Sequence, residues 1–181
     1  MDIGLKLRSI NVNKYHYFFG GHKPTSNWFP AIFVWKDKQF NNSEAAMMWG
    51  KAMLHKDEKT ANKVLINQNP KVAKVIGRKM VGFDYHLWGK YKFDIMVDLL
   101  LCKFTQCAKS KEYLLSIKEE HFVEASPYDK IWGIGLSETD PRAANEDTWK
   151  GQNLLGKALD EVRKVILSNP TLVHTGRIIT Q

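Results

Sequence analysis

NNSEAAMMWGKAMLH, residues 41–55, is apolar almost all the way round, and its reading decides the fold. Ala, Met, Trp and Leu at nearly every position predict a helix enclosed by protein rather than one lying on a surface, with Asn42 or Ser43 as its N-cap. Within it Glu44, Met48, Lys51 and His55 share one face, because the seven residues from Glu44 to Lys51 make close to two turns. Glu and Lys seldom lie inside a protein without partners, so this face is a candidate pocket. A structural ion pair is the alternative. The seven-residue spacing exceeds the usual four-residue helix pair, which favours both side chains converging on a third object.

Outward from this segment the pattern stays helical. Helices are expected over 56–67, over 70–79 behind an Asn69 cap with Pro70 at the first helical position, over 93–108, from Ser110 as a cap to near Lys118, and last from an opening at Trp149 to Asn153, through apolar residues at helical spacing from Leu154 to Ile166, to an end at Asn169 and Pro170. The segment 93–108 is the most apolar of these and belongs in the core. Gly82 to Gly89 reads as a break, the basic residues Lys71, Lys74, Arg78 and Lys79 as solvated, and Lys103 as a stem buried under an exposed ammonium. Strand character is found over 3–12, 28–35, 121–125 and 172–174, with 36–38 turning a hairpin into Gln39 and Phe40. Ser126 to Leu136 interleaves two glycines, a proline and an aspartate with aromatics, the pattern of a tightly built loop of the kind that carries function. The expected fold is mainly α, a multihelical single domain with a few short β strands and a hairpin. Residues 1–14 form an N-terminal extension, 15–168 the domain and 169–181 a tail.

At 181 residues the chain is long enough to bury roughly two thirds of its unfolded surface in one core. A net charge of +8 favours an anionic partner such as a phosphorylated small molecule, a nucleotide or a nucleic acid, and the lysines never gather into a polybasic arm. Cys102 and Cys107 do not have zinc spacing and read as reduced thiols. No histidine pairing suggests a metal, so no metal and no cofactor is expected. The N-terminus lacks the pattern of a signal peptide, and no apolar run approaches the roughly 20 residues of a membrane helix. A soluble, cytoplasmic protein without a membrane partner is the expectation. The sequence fixes no oligomeric state.

Glu44, Glu124 and Asp129 are carboxylates in unusual settings: an enclosed helix, the end of a strand and the aromatic loop. Paired carboxyls protonate a leaving group and stabilise or attack a cationic sugar carbon, the chemistry of glycosidic cleavage. Lys51, if desolvated enough to be neutral, is an amine able to attack a sugar C1 and form a Schiff base. Trp88 and Trp132 suit stacking on a flat base while lysines hold phosphates. No Walker loop, dinucleotide fingerprint, nucleophile elbow or kinase motif occurs.

Phe19 with Ser26-Asn27-Trp28-Phe29, Phe40-Asn41-Asn42-Ser43-Glu44 with Lys51-Ala52, Lys103-Phe104, Glu124-Ala125-Ser126-Pro127-Tyr128-Asp129 with Ile131-Trp132-Gly133-Ile134-Gly135, and Trp149-Lys150-Gly151-Gln152-Asn153-Leu154-Leu155-Gly156 follow one another in order. Together they resemble the YbiA-like, or NADAR, family. The resemblance implies an enzyme, a hydrolase of N-glycosyl bonds linked to ribose or ADP-ribose. Members are associated with removing ADP-ribose from guanine in nucleic acid and with hydrolysing ribosylamine phosphates of riboflavin biosynthesis, so ADP-ribosylated DNA or RNA is a candidate partner. It further implies Glu44, Lys51 and Asp129 as catalytic residues, and Trp88 and Trp132 beside them. Asn27 and Asn153 fall in segments that resemble substrate-positioning motifs, and Glu124 and Gly133 complete the candidate substrate-binding set. Ala45 departs from the family, many of whose members carry a polar residue after the glutamate. A domain that binds ADP-ribose or a nucleic-acid end without chemistry is the competing expectation.

Overall fold

The computed structural model of the protein describes residues 14–118 and 120–176. The expected strand over 3–12 lies outside them. Helix α1, Ser43–Leu54, is the axis of the fold: residues 43–50 and Ala52 are all buried. Asn42 caps it, its side-chain oxygen accepting the Ala45 N–H at 2.8 Å. Around α1 pack α2, Glu58–Ile66, α3, Pro70–Arg78, and the long α4, Tyr85–Gln106. Helix α5, Ala108–Ser116, continues from α4, and α6, Leu154–Ser168, lies along α4. The sequence predicts α2 and α3 well because their caps are local: Asp57 accepts the Thr60 N–H, and Asn69 accepts the N–H groups of Lys71 and Val72 ahead of Pro70.

Two small sheets complete the domain. Strand β1, Tyr15–Phe18, pairs in parallel with β4, His121–Glu124, Phe18 standing opposite Glu124. Strands β2, Phe33–Trp35, and β3, Lys38–Phe40, form the expected hairpin, whose turn residues Lys36 and Asp37 both take positive φ. Phe33, Trp35 and Phe40 fill the core with Met96, Leu99, Leu100 and Phe104 of α4 and Leu155, Leu159, Val162 and Ile166 of α6.

The structure corrects several sequence readings. Residues 28–32 are not strand, because Ser26 folds the chain back: its carbonyl accepts the Phe29 N–H and its hydroxyl accepts the Trp28 N–H. Helix α4 starts at Tyr85 rather than near 93, since Asp84 caps it through His86 and Leu87; Gly89 lies inside the helix. Ser110 caps nothing and sits buried in α5, its hydroxyl on Cys107 Sγ. Residues 172–174 form no strand; His174 instead bonds Asp98 and Thr105 of α4. Among the described residues no helix is long and apolar enough to cross a membrane.

Candidate active site

Three segments bring polar groups to the N-terminal half of α1. The first is the turn 23–29 that follows β1. Asn27 accepts the Glu44 N–H on its main-chain carbonyl at 2.9 Å, and the Trp28 indole N–H donates to Glu44 Oε2 at 3.2 Å. The second is the end of β4. Parallel pairing with β1 carries Glu124 to the same level, and the Ala125 N–H bonds the Phe18 carbonyl. The third is the loop 126–136, pinned by Asp129, whose Oδ1 accepts the N–H groups of both Ile131 and Trp132. Helix α3 closes the remaining side. A Cβ on Gly77 would stand 2.2 Å from Met48 Sδ, so glycine lets α3 approach α1 closely with the Met48 side chain packed between them. That approach sets Lys74 and Arg78 against the site.

The result is a cleft with two lobes that share Lys74, Arg78 and Asp129. The inner lobe, about 170 Å³, is lined by Glu44, Met47, Met48, Lys51, Trp88, Ile131 and Trp132 besides those three. The outer lobe, about 390 Å³, adds Glu124, Ser126, Lys71 and the aromatic rim of Phe19, Trp28 and Tyr128. A larger hollow of about 640 Å³, lined mainly by α4, shares no residue with this cleft and holds none of its carboxyls. Among the described residues no cluster of His, Cys, Asp or Glu is placed to hold a metal ion.

Glu44 is 3% exposed, and Glu44 Oε1 and Glu124 Oε2, like the neighbouring Asn27 Oδ1 and Ser43 Oγ, are buried without a hydrogen-bond partner. Buried polar atoms are normally satisfied, so this concentration marks a place built for something else. Burial pushes the Glu44 carboxyl above its usual range, Asp129 adds to the rise, and Lys74 and the Trp28 N–H oppose it. Burial, then Asp129, then Glu44 push Glu124 up to about 8. Burial and Arg78 hold the Lys51 ammonium below its usual range. Its Nζ donates to the Gly77 carbonyl at 3.1 Å and lies 4.0 Å from the Phe83 ring centre and 6.0 Å from that of Trp88. No ion pair joins Glu44 and Lys51 among the described residues, so the structural-pair alternative has no geometric basis.

Of the residues singled out from the sequence, Glu44, Lys51, Asp129, Trp88, Trp132 and Glu124 line one cleft. Asn27 stands behind Glu44. Gly133 and Asn153 lie outside the lining. Gly133 packs the loop, with no room for a Cβ between the carbonyls of Glu124 and Asp129. Asn153 uses both ends of its amide on β4, donating to the Phe122 carbonyl at 2.9 Å and accepting the Glu124 N–H at 3.0 Å. The reading of Lys71, Lys74 and Arg78 as solvated holds for Lys71 and Arg78, which are exposed, and is corrected for Lys74, which is half-buried; all three line the cleft. They share one face of α3, the pattern of an ordinary amphipathic surface helix, so their spacing alone does not mark a cleft. Lys103 is also corrected. Rather than reaching solvent it is fully buried, and its Nζ donates to the Ser26 carbonyl.

The family model described as NADAR domain matches residues 17–167. The protein irg-1 of Caenorhabditis elegans is 40% identical over 128 residues, 70% of this chain and 60% of that protein. An N-glycosidase of Acanthamoeba polyphaga mimivirus is 34% identical over 166 residues, covering 86% of this chain and 98% of the viral protein. The NMR structure of the E. coli protein YbiA superposes with a TM-score of 0.72 at 22% identity, covering 91% of this chain and 92% of that one, a likeness of fold.

Proposed function

The chain belongs to the NADAR domain family, and on that premise we propose that it is an N-glycosidase, hydrolysing the bond between a base nitrogen and C1 of a ribose. The viral relative that it matches nearly end to end carries the same activity in its name. The observation that carries the reading is the pair of buried, unpartnered carboxyl oxygens on Glu44 and Glu124, in one cleft with the Lys51 amine.

A group held up to about 8 keeps its proton at neutral pH, so Glu124 is the donor to the leaving nitrogen. As the C1–N bond breaks, its electron pair and that proton leave with the base, and positive charge develops at C1. Asp129 and Glu44 face that charge. Lys51, whose ammonium burial and Arg78 hold below its usual range, gives up a proton to solvent and adds through Nζ to C1; the ring opens to a Schiff base, and water returns the sugar and the amine. A direct attack by water, with Lys51 as an electrostatic partner, is the simpler route and differs in leaving no covalent intermediate.

For the substrate we favour ADP-ribose linked to guanine in nucleic acid. The inner lobe of about 170 Å³ is smaller than the roughly 300 Å³ at which drug-sized pockets begin, a size for one sugar. The outer lobe supplies Lys71, Lys74 and Arg78 for a diphosphate and aromatic rings for a second base. A phosphorylated ribosylamine has the same bond and would leave the outer lobe mostly unused, so it stands second. Incubating each substrate with the protein and with Glu44→Gln, and measuring by chromatography the ADP-ribose freed from the nucleic acid and the base freed from the ribosylamine phosphate, separates them. Base released only from ribosylamine phosphate favours the second substrate. ADP-ribose bound with both substrates left intact would make this a binding module and reject the enzyme.

A further inference from the structure

Lys103 is 0% exposed, in the last turn of α4, and lines neither lobe of the cleft. Its Nζ lies 5.9 Å from the Phe29 ring centre and 5.1 Å from that of Phe104, and donates to the Ser26 carbonyl at 2.9 Å. A buried amine is costly, and an apolar residue of similar volume commonly fills such a place at no loss of stability. What an apolar residue cannot do is hold the Ser26 carbonyl.

Ser26 is the first link in a chain of contacts that ends on Glu44. The Ser26 hydroxyl accepts the Trp28 N–H at 3.1 Å, and the Trp28 indole donates to Glu44 Oε2 at 3.2 Å. Beside it, the Asn27 carbonyl accepts the Glu44 N–H at 2.9 Å. The same turn includes Thr25, whose buried hydroxyl has no partner of its own. We propose that Lys103 is a positioning residue of the reaction: by anchoring the Ser26 carbonyl it fixes the turn 23–29, and through Trp28 and Asn27 it sets the orientation of the Glu44 carboxyl. This rests on the N-glycosidase reading for its kinetic consequence, but not for its structural one. Burial also holds the Lys103 ammonium down to about 7, in keeping with an amine that has little besides one carbonyl to stabilise its charge.

The test combines a spectrum with kinetics. In ¹⁵N-labelled protein the Trp28 indole N–H resonance, identified by its loss in Trp28→Phe, reports the bond to Glu44 whether or not the protein is active. In Lys103→Met that resonance moves toward the position of a free indole. On the guanine-ADP-ribosylated oligonucleotide kcat falls roughly 10- to 100-fold, the scale of an ångström-sized misplacement, with KM within about twofold. Lys103→Met combined with Trp28→Phe loses little beyond either change alone. A Trp28 resonance unmoved in folded Lys103→Met overturns the proposal, even if activity drops. If Lys103→Met does not fold, Lys103→Arg decides, since it keeps a charged donor: a parental indole position supports the anchoring, and a free-indole position in a folded protein overturns it. An inert parent protein would reject the N-glycosidase reading, and the indole shift would still decide the anchoring.

Discussion

Glu124→Gln should stabilise the protein while stopping the reaction, and the gain should depend on pH. Glu124 is half-buried with its Oε2 shut off from solvent, and its carboxyl is raised from an ordinary value of 4.5 to about 8. Below pH 4.5 both folded and unfolded chains hold the proton and nothing is lost. Between pH 4.5 and 8 the unfolded chain has released the proton that the folded protein keeps, so the unfolded state is favoured by ~1.4 kcal/mol for each pH unit. At pH 7 this amounts to about 3 kcal/mol, and above pH 8 it no longer grows. Water entry and loop relaxation lower the figure, leaving about 1–3 kcal/mol, or roughly 2–12 °C in Tm for a chain of this size. Gln has the shape of the protonated acid and never ionises. Thermal unfolding of parent and variant at pH 5 and pH 8 measures the effect: the variant should gain at pH 8 and match the parent near pH 5. A loss of stability at pH 8, or one constant difference at both pH values, would refute the account of a strained, buried carboxyl. Turnover should fall at least 100-fold, as expected for loss of a general acid.

Lys51→Ala should reduce turnover by more than about 100-fold with substrate binding retained, and borohydride should trap a sugar adduct on the parent but not on the variant; retained turnover would reject the covalent route. Lys74→Gln and Arg78→Gln should each raise KM for an ADP-ribosyl substrate by about 10-fold, with kcat less affected and with a weaker salt dependence than the parent's. Gly151→Ala should destabilise by about 1–3 kcal/mol, roughly 2–12 °C in Tm, because its Cβ would meet the Gly133 carbonyl at 2.3 Å and the Lys130 Cα at 2.8 Å. An unchanged Tm would show that the loop carrying Asp129 yields more easily than its packing implies.

The helical frame was legible because its signals are local. The apolar run of α1, the Asp57 and Asn69 caps and the Pro70 start each act within a turn or two of chain. Gly89 misled for the same reason: glycine reads as a break, but Asp84 caps a helix long enough to absorb it. The site was half legible. Glu44 and Lys51 stood out as charges on an apolar helix, whereas Lys71, Lys74 and Arg78 lie on an amphipathic helix whose basic face has the pattern of ordinary surface. What turns that face into a cleft wall is the contact of Gly77 with Met48, a tertiary fact. Lys103 was misread on the usual habit of lysine, to bury its stem and expose its ammonium. Its partner is a carbonyl 77 residues away, brought near by the parallel pairing of β1 with β4 and the packing of α4. Asn153, singled out as a substrate contact, spends its amide on β4, and so supports Glu124 from behind.

The proposed reaction breaks a bond at C1 of ribose through the buried carboxyls of this cleft. Mass spectrometry of a guanine-ADP-ribosylated DNA oligonucleotide, incubated with the parent protein and with Glu44→Gln, tests it most directly. The account predicts loss of the ADP-ribose mass with the guanine left intact in the parent reaction, and an unchanged oligonucleotide with the variant. An oligonucleotide unchanged by the parent would contradict the assigned substrate, and equal cleavage by both proteins would contradict the role given to Glu44.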